Sequence, residues 1–258
     1  MQEINDSCFH SVKSLLHKRK VAKSACFRKK TEEFHYRMLN LLFVVIASYL
    51  IGSIPFGIII SKKFRGFDIR SKGSGNIGST NAFRTLGWKL GLTVQILDLA
   101  KGFGAVLLAT FLFNGLPFHN ATPFQDVTIF RIIAGCSAVL GHVFTIFAGF
   151  RGGKGISTAA GMMIGVAPVE VAVAVGIFLL VVLFSGYVSL GSIIAAITLP
   201  TTMFLRENAF GVQIIGYNTL IVFAIGLSSF LIYTHRSNIS RLLANREHRF
   251  DKLRIFRS

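Results

Sequence analysis

Apolar runs of membrane-crossing length alternate along this chain with three short polar stretches, each beginning or ending at such a run. The polar stretches are Lys72-Gly-Ser-Gly-Asn-Ile-Gly-Ser-Thr-Asn-Ala-Phe-Arg84, Gly149-Phe-Arg-Gly-Gly-Lys-Gly155 and His235-Arg-Ser-Asn-Ile-Ser-Arg241. A helix needs about 20 mostly apolar residues to cross a hydrocarbon core of roughly 30 Å, and fewer where its neighbours shield it. Seven runs meet this, near residues 40–61, 90–113, 128–148, 155–168, 169–185, 188–205 and 212–233. The fourth is the shortest, and Ile156 to Leu205 can also be divided into two long spans. Pro168 beside Glu170, Gly186 and Pro200 are the expected breaks. Because lipid offers no hydrogen bonds to backbone groups, the expected fold is an all-α polytopic membrane protein. It should have seven transmembrane helices, with short cytoplasmic loops forming the site.

The charges test this topology, since Lys and Arg concentrate in cytoplasmic loops. Between the first two spans lie Lys62, Lys63, Arg65, Arg70, Lys72, Arg84 and Lys89 against Asp68 alone, which sets that loop inside. Asp126 marks an outer loop, Arg151 and Lys154 an inner one, Glu170 an outer turn, and Arg206 with Glu207 a neutral outer one. The tail after Tyr233, with seven cations and two acids, belongs inside. Seven spans then carry all three polar stretches to one face, whereas six would separate them.

Residues 1–37 are a basic extension that positive-inside logic would keep in the cytoplasm, against the odd span count. They are read as a dispensable, disordered tail or as an over-extended reading frame with Met38 as the start. No small-residue cleavage pattern follows the apolar run, so a signal peptide is a poor reading. Residues 38–250 form the membrane domain and residues 251–258 a basic tail.

A net charge of +17 could suggest a nucleic-acid binder, but the 28 Lys and Arg residues lie between apolar spans and form no single basic face. Anionic lipids and phosphorylated substrates fit better, and no nucleic acid is expected. Cys8, Cys26 and Cys136 have neither disulfide-framework nor metal-ligand spacing, so no metal is expected.

The polar stretches supply phosphate-binding groups and few carboxylates. In the first, Gly73, Gly75 and Gly78 permit unusual backbone turns whose N–H groups can surround an anion. Ser74, Asn76, Thr80 and Asn81 add side-chain donors, a following helix adds its N-terminal dipole, and Arg84 can grip two phosphate oxygens at once. In the second, Gly152-Gly153-Lys154-Gly155, followed by Ser157 and Thr158, is not a nucleotide P-loop. Gly149 is too close to Gly153, Gly155 follows the lysine where Ser or Thr is needed, and no strand precedes. A glycine-lined helix entry with a point charge at Lys154 remains, suited to a phosphomonoester. In the third, His235 and Asn238 share one helix face at i, i+3, with Arg241 nearly aligned.

Several polar residues have structural readings. Asp98 and Lys101, at i, i+3 within the second span, are read as a buried pair beneath the site. Arg131 and His142 are read as helix-packing residues, and Glu247 as an ion-pair partner of a neighbouring loop. Pro55 should kink the first helix and free carbonyls for a neighbour to satisfy.

These stretches closely resemble the PlsY family, the bacterial acyl phosphate:glycerol-3-phosphate acyltransferases. The likeness runs from about Met38 to Phe250 and includes Gly52-Ser-Ile-Pro-Phe-Gly57, Gly73 through Arg84, Gly141-His142 through Gly155, and His235 through Leu243 with Glu247. Thr145 stands where that family usually has Pro, Arg151 where it has Lys, and Asn245 where a Gly commonly precedes the Glu. The resemblance implies transfer of a long-chain acyl group from acyl phosphate to the 1-hydroxyl of glycerol 3-phosphate, giving lysophosphatidic acid and phosphate, the first acylation of phospholipid synthesis. It implies Ser74, Arg84, Lys154, His235 and Asn238 as the catalytic set, with the first loop cradling phosphate and the second recognising glycerol 3-phosphate. It further implies no cofactor, a bacterial inner membrane with the site facing the cytoplasm, and coupling to an acyl-phosphate-forming enzyme. The chemistry agrees: an acyl phosphate is already activated, the sequence shows no convincing nucleophile triad, and no His precedes an Asp by five residues. A transporter for phosphorylated solutes is the rival reading, though its site would belong near the midplane, between repeated halves.

Overall fold

The computed structural model describes residues 27–29, 31, 32, 34–113 and 126–250. The readings for most of 1–37 and for 251–258 lie outside these. The chain divides at residue 43 into two units; in the smaller, residues 34–43 are helical.

The larger unit, from Val44 on, is helical throughout its regular structure among the described residues. Residues 44–53 form α1. Then follow α2 (Phe56–Arg65), a 3-10 turn (Ile69–Ser71), α3 (Ser79–Leu86), α4 (Trp88–Phe113) and α5 (Asp126–Val143). A second 3-10 turn (Ile146–Ala148) leads to α6 (Ile156–Ile164), α7 (Pro168–Ser185), α8 (Val188–Asn208), α9 (Tyr217–Thr234) and α10 (Arg236–Leu243). By length and apolarity, six stretches among the described residues can cross a membrane: Phe27–Arg65, Trp88–Phe113, Val127–Ala148, Pro168–Ser185, Val188–Asn208 and Tyr217–Thr234.

The expected fourth span, 155–168, is the nine-residue α6. Nine residues rise about 14 Å, under half of a hydrocarbon core. The expected break at Pro200 does not occur, because α8 runs through it. Proline removes one N–H, so the carbonyl four residues back loses its partner. That carbonyl, Ala196 O, accepts from Ser228 Oγ on α9 instead. Pro55 does end α1. Of the carbonyls left beside it, Ser53 O accepts from Thr145 Oγ1 and Ile54 O accepts from Lys101 Nζ at 3.1 Å.

Lipid is as apolar as a leucine side chain, so helices in it associate through close packing. Small residues permit this at two interfaces. A Cβ at Gly52 would lie 2.1 Å from Ala138 O, and one at Gly141 2.2 Å from Tyr49 O, so α1 and α5 touch backbone to backbone. Between α4 and α6, a Cβ at Gly102 would lie 2.0 Å from Thr158 O, and one at Gly161 2.0 Å from Leu99 O. Met162, Met163, Met203, Ala224 and Leu231 fill the space among α6, α8 and α9. A second apolar cluster, including Ile58, Ile69, Ile77, Leu86 and Val94, lies under the first polar stretch and holds α3 against α2 and α4.

Candidate active site

The first polar stretch winds around one side chain. Asn81 is buried, its Oδ1 accepting from Ser74 N at 2.9 Å while its Nδ2 faces the carbonyls of Ile69, Lys72 and Asn76 at 3.2, 3.1 and 2.9 Å. Asn81 therefore organises the loop from within. The winding needs left-handed backbone at Gly73 and Gly75, with φ of +62° and +71°. At Gly73 a Cβ would also meet Asn81 Oδ1 at 2.2 Å. Gly78 differs from the sequence expectation: its φ of −75° is ordinary, and it serves as N-cap of α3. Asn76 Oδ1 accepts from Gly78 N at 2.9 Å. The first amides of α3, at Ser79 and Thr80, have no helix carbonyl a turn behind them.

The second stretch is fastened to the end of α5. The amides of Gly152 and Gly153, expected to meet phosphate, donate instead to Val143 O and His142 O, each at 3.0 Å. A Cβ at Gly153 would lie 2.0 Å from His142 Nε2. Gly155, at φ +86°, turns the chain into α6. Thr234 Oγ1 of α9 donates to Lys154 O at 2.9 Å, so the lysine's backbone is fixed. Thr158 is buried between α6 and α4 and does not reach the cavity; Ser157, one position and about 100° earlier, does.

The third stretch forms α10, with His235 at the junction with α9. Lys154 Nζ donates to Asn238 Oδ1, and Asn238 Nδ2 donates to Glu247 Oε1 at 2.8 Å. Glu247 also accepts from Ser189 Oγ at 3.0 Å and from Arg241 Nε at 2.6 Å. Its ion-pair partner is thus on its own segment, with the start of α8 adding the hydroxyl.

Ser74, Asn76, Gly78, Thr80, Arg84, Lys154, Gly155, His235, Asn238 and Glu247 line one cavity of about 700 Å³. Deeper, its walls become apolar, with Ala160 and Met163 of α6, Ala174 and Phe178 of α7, Leu199 of α8 and Leu227 of α9. Arg84, Lys154 and Arg241 surround one carboxylate, Glu247, leaving the polar end with excess positive charge.

Burial pushes Lys154 down to about 8; Glu247 opposes this, while Arg241 and Arg84 reinforce it. Burial, then Lys154, push His235 down to about 4, so its ring is neutral near pH 7. Its Nδ1 lies 2.8 Å from Leu231 O. A carbonyl only accepts, so the proton sits on Nδ1 and Nε2 is left basic. Burial would raise the Glu247 carboxyl, but hydrogen bonds from Arg241, Asn238 and Ser189 outweigh it and hold the group below its usual range.

Asp98 and His142, expected beneath the site and in helix packing, both line the cavity: Asp98 Oδ1 pairs with the buried Lys101 Nζ at 2.9 Å and lies 3.6 Å from His142 Nδ1. Arg131 Nε donates to Thr110 Oγ1 at 2.8 Å, joining α5 to α4. Sequence reasoning missed Gln95, whose Oε1 accepts from Ser79 Oγ and, at 3.1 Å, from Ser157 Oγ, joining the starts of α3 and α6. It missed Ser189, His248 and Phe250 as cavity residues as well. A polar Gln within an apolar run was the available signal for the first; nothing marked the others.

An all-helical membrane protein whose basic, glycine-turned cavity continues into an apolar groove has the form of an integral-membrane acyltransferase, built to hold an anionic head and a long tail together. Residues 42–245 match the family model described as glycerol-3-phosphate acyltransferase. The chain is 47% identical to the glycerol-3-phosphate acyltransferase of Chlorobium phaeobacteroides (strain BS1) over 229 residues, covering 82% of this chain and 97% of the relative. The enzyme of that name from Chlorobaculum tepidum is also 47% identical over 227 residues, with the same coverage. The crystal structure of PlsY (YgiH), an integral membrane glycerol 3-phosphate acyltransferase, in its glycerol 3-phosphate form superposes with a TM-score of 0.69 at 39% identity, covering 83% of this chain and 96% of that one. Its lysophosphatidic acid form gives 0.68 at 38%, with the same coverage. The chain belongs to the glycerol-3-phosphate acyltransferase family.

Proposed function

We propose that the protein transfers a long-chain acyl group from acyl phosphate to the 1-hydroxyl of glycerol 3-phosphate, forming lysophosphatidic acid and inorganic phosphate, the first acylation of phospholipid synthesis. The observation that carries this reading is the Lys154–Asn238 hydrogen bond in a cavity shared with Arg84 and continuous with an apolar groove. Two phosphates need several fixed cations and amides, and a long tail needs the groove.

The same bond supports seven passes. Residues 154 and 238 meet, so an even number of crossings separates them. Between them α7, α8 and α9 supply three. The short α6, covered by α4 and α5, is the fourth. The three polar stretches then share one face, and the excess of Lys and Arg beside them favours the cytoplasmic side, in a membrane that the family resemblance makes a bacterial inner one.

In the reaction, the first loop and the amides of α3 hold the acyl phosphate's phosphate beside Ser74, while Arg84, Lys154 and Asn238 hold glycerol 3-phosphate. His235 Nε2 accepts a hydrogen bond from the 1-hydroxyl and aims its oxygen at the acyl carbonyl. The new ester C–O bond forms, the C–O bond to phosphate breaks, and the hydroxyl proton departs on that phosphate. A phosphate group, with a second pKa of about 6, holds a proton better than a ring held near 4. Placing both anions at fixed cations removes their mutual repulsion and the entropy of encounter, the main obstacles once the donor is activated. Because the acyl donor is a mixed anhydride open to hydrolysis, an acyl-phosphate-forming enzyme should supply it locally.

Purified protein in detergent, given palmitoyl phosphate with labelled glycerol 3-phosphate and then palmitoyl-CoA instead, tests the reading. Lysophosphatidic acid from the first donor alone is expected. Product from the CoA donor alone overturns the donor assignment, and uptake of label into proteoliposomes without product would favour a transporter.

A further inference from the structure

Beyond α10 the chain turns at Asn245, whose φ of +53° is left-handed, and lines the cavity as a strap that includes Glu247, His248 and Phe250. The strap is tied to the α7–α8 turn: Phe250 N donates to Gly186 O at 2.9 Å, and Arg249 Nε donates to Ser185 O at 3.1 Å. Within it, Glu247 is held by Ser189 and Asn238. These ties put the Phe250 ring against Arg84, with the guanidinium carbon 5.2 Å from the ring centre.

We propose that Phe250 is a positioning residue for acyl transfer, holding the Arg84 guanidinium by its face so that its edge is presented to the substrate phosphate. The five N–H donors of a guanidinium lie in its plane, so an aromatic ring over the face competes with none of them. The ring also excludes water from that face and limits the plane to orientations that meet two phosphate oxygens together. Arg84 is partly buried, and burial lowers its affinity for a proton, in keeping with a cation whose water has been displaced before the anion arrives. Phe250 lies past residue 245, where the family match ends. Its role follows from the strap's hydrogen bonds and not from the three polar stretches.

This inference rests on the reading of Arg84 as a phosphate grip, and the test separates the two. Full-length wild type, Phe250→Leu, Phe250→Trp, Arg84→Ala, Arg84→Lys and the Phe250→Leu/Arg84→Lys double variant would be compared for KM, kcat and thermal midpoint in detergent, using whichever acyl donor the wild type accepts. Phe250→Leu is expected to raise KM for glycerol 3-phosphate about tenfold with little change in kcat or midpoint. Phe250→Trp should stay near wild type, and Phe250→Leu should add less than about twofold in the Arg84→Lys background, where the ring has no planar cation to orient. Wild-type KM in Phe250→Leu, or an equal loss in both backgrounds, overturns the positioning role. A fully active Arg84→Ala overturns the grip itself.

Discussion

Asn238 donates to Glu247 Oε1 at 2.8 Å, and this bond fixes the orientation of an amide whose other end faces Lys154. An amide can present oxygen to the lysine and nitrogen to the carboxylate simultaneously; a carboxylate cannot. Asn238→Asp would set a second anion against Glu247 and cancel positive charge at the proposed phosphate position. kcat/KM should fall about 30-fold or more, corresponding to roughly 2 kcal/mol, with helical content by circular dichroism unchanged. A variant within threefold of wild type would remove Asn238 from the site.

Lys154 should give the reaction an alkaline limb. Its folded-state pKa is lowered to about 8, chiefly by burial, so the ammonium is present below that pH and lost as pH rises through it. A bound anion favours the charged form. The loss should therefore appear in kcat/KM for glycerol 3-phosphate, which reports the free enzyme, and more weakly in kcat. kcat/KM is expected to fall up to about tenfold per pH unit above 8 in wild type, and Lys154→Arg should abolish that limb between pH 8 and 10. Superimposable profiles would contradict the assignment.

Lys101 joins Asp98 to the carbonyl of Ile54 beside Pro55. Lys101→Met leaves a buried carboxylate and a buried carbonyl without their partner, and should cost about 3–5 kcal/mol. Asp98→Asn combined with Lys101→Met removes the uncompensated charge and should recover part of that loss. Thermal unfolding in detergent measures both, and a double variant less stable than Lys101→Met alone would rule out the paired-charge account.

Helical architecture, the three polar stretches that meet at one cavity and the Pro55 break were legible because each depends on local chemistry: run length, turn residues or a missing N–H. Pro200 misled for a long-range reason, since the Ala196 carbonyl it frees is satisfied by Ser228, 28 residues beyond the proline in the chain. The same limit governed donors. Asn81 and the Gly152 and Gly153 amides looked available in sequence, but their partners are backbone carbonyls that only the fold brings near. Thr158 and Ser157 differ only in helix phase, which a nine-residue element set between two turns leaves undetermined from sequence. Phe250 could not be read at all, because its value depends on a strap returning across the α7–α8 turn.

In the proposed reaction both anions occupy the cavity together and react directly, without an acyl-enzyme. Initial rates over a matrix of palmitoyl phosphate and glycerol 3-phosphate concentrations test it. Reciprocal plots should intersect, with no burst of phosphate when glycerol 3-phosphate is withheld. Parallel lines, with a stoichiometric phosphate burst from palmitoyl phosphate alone, would contradict it.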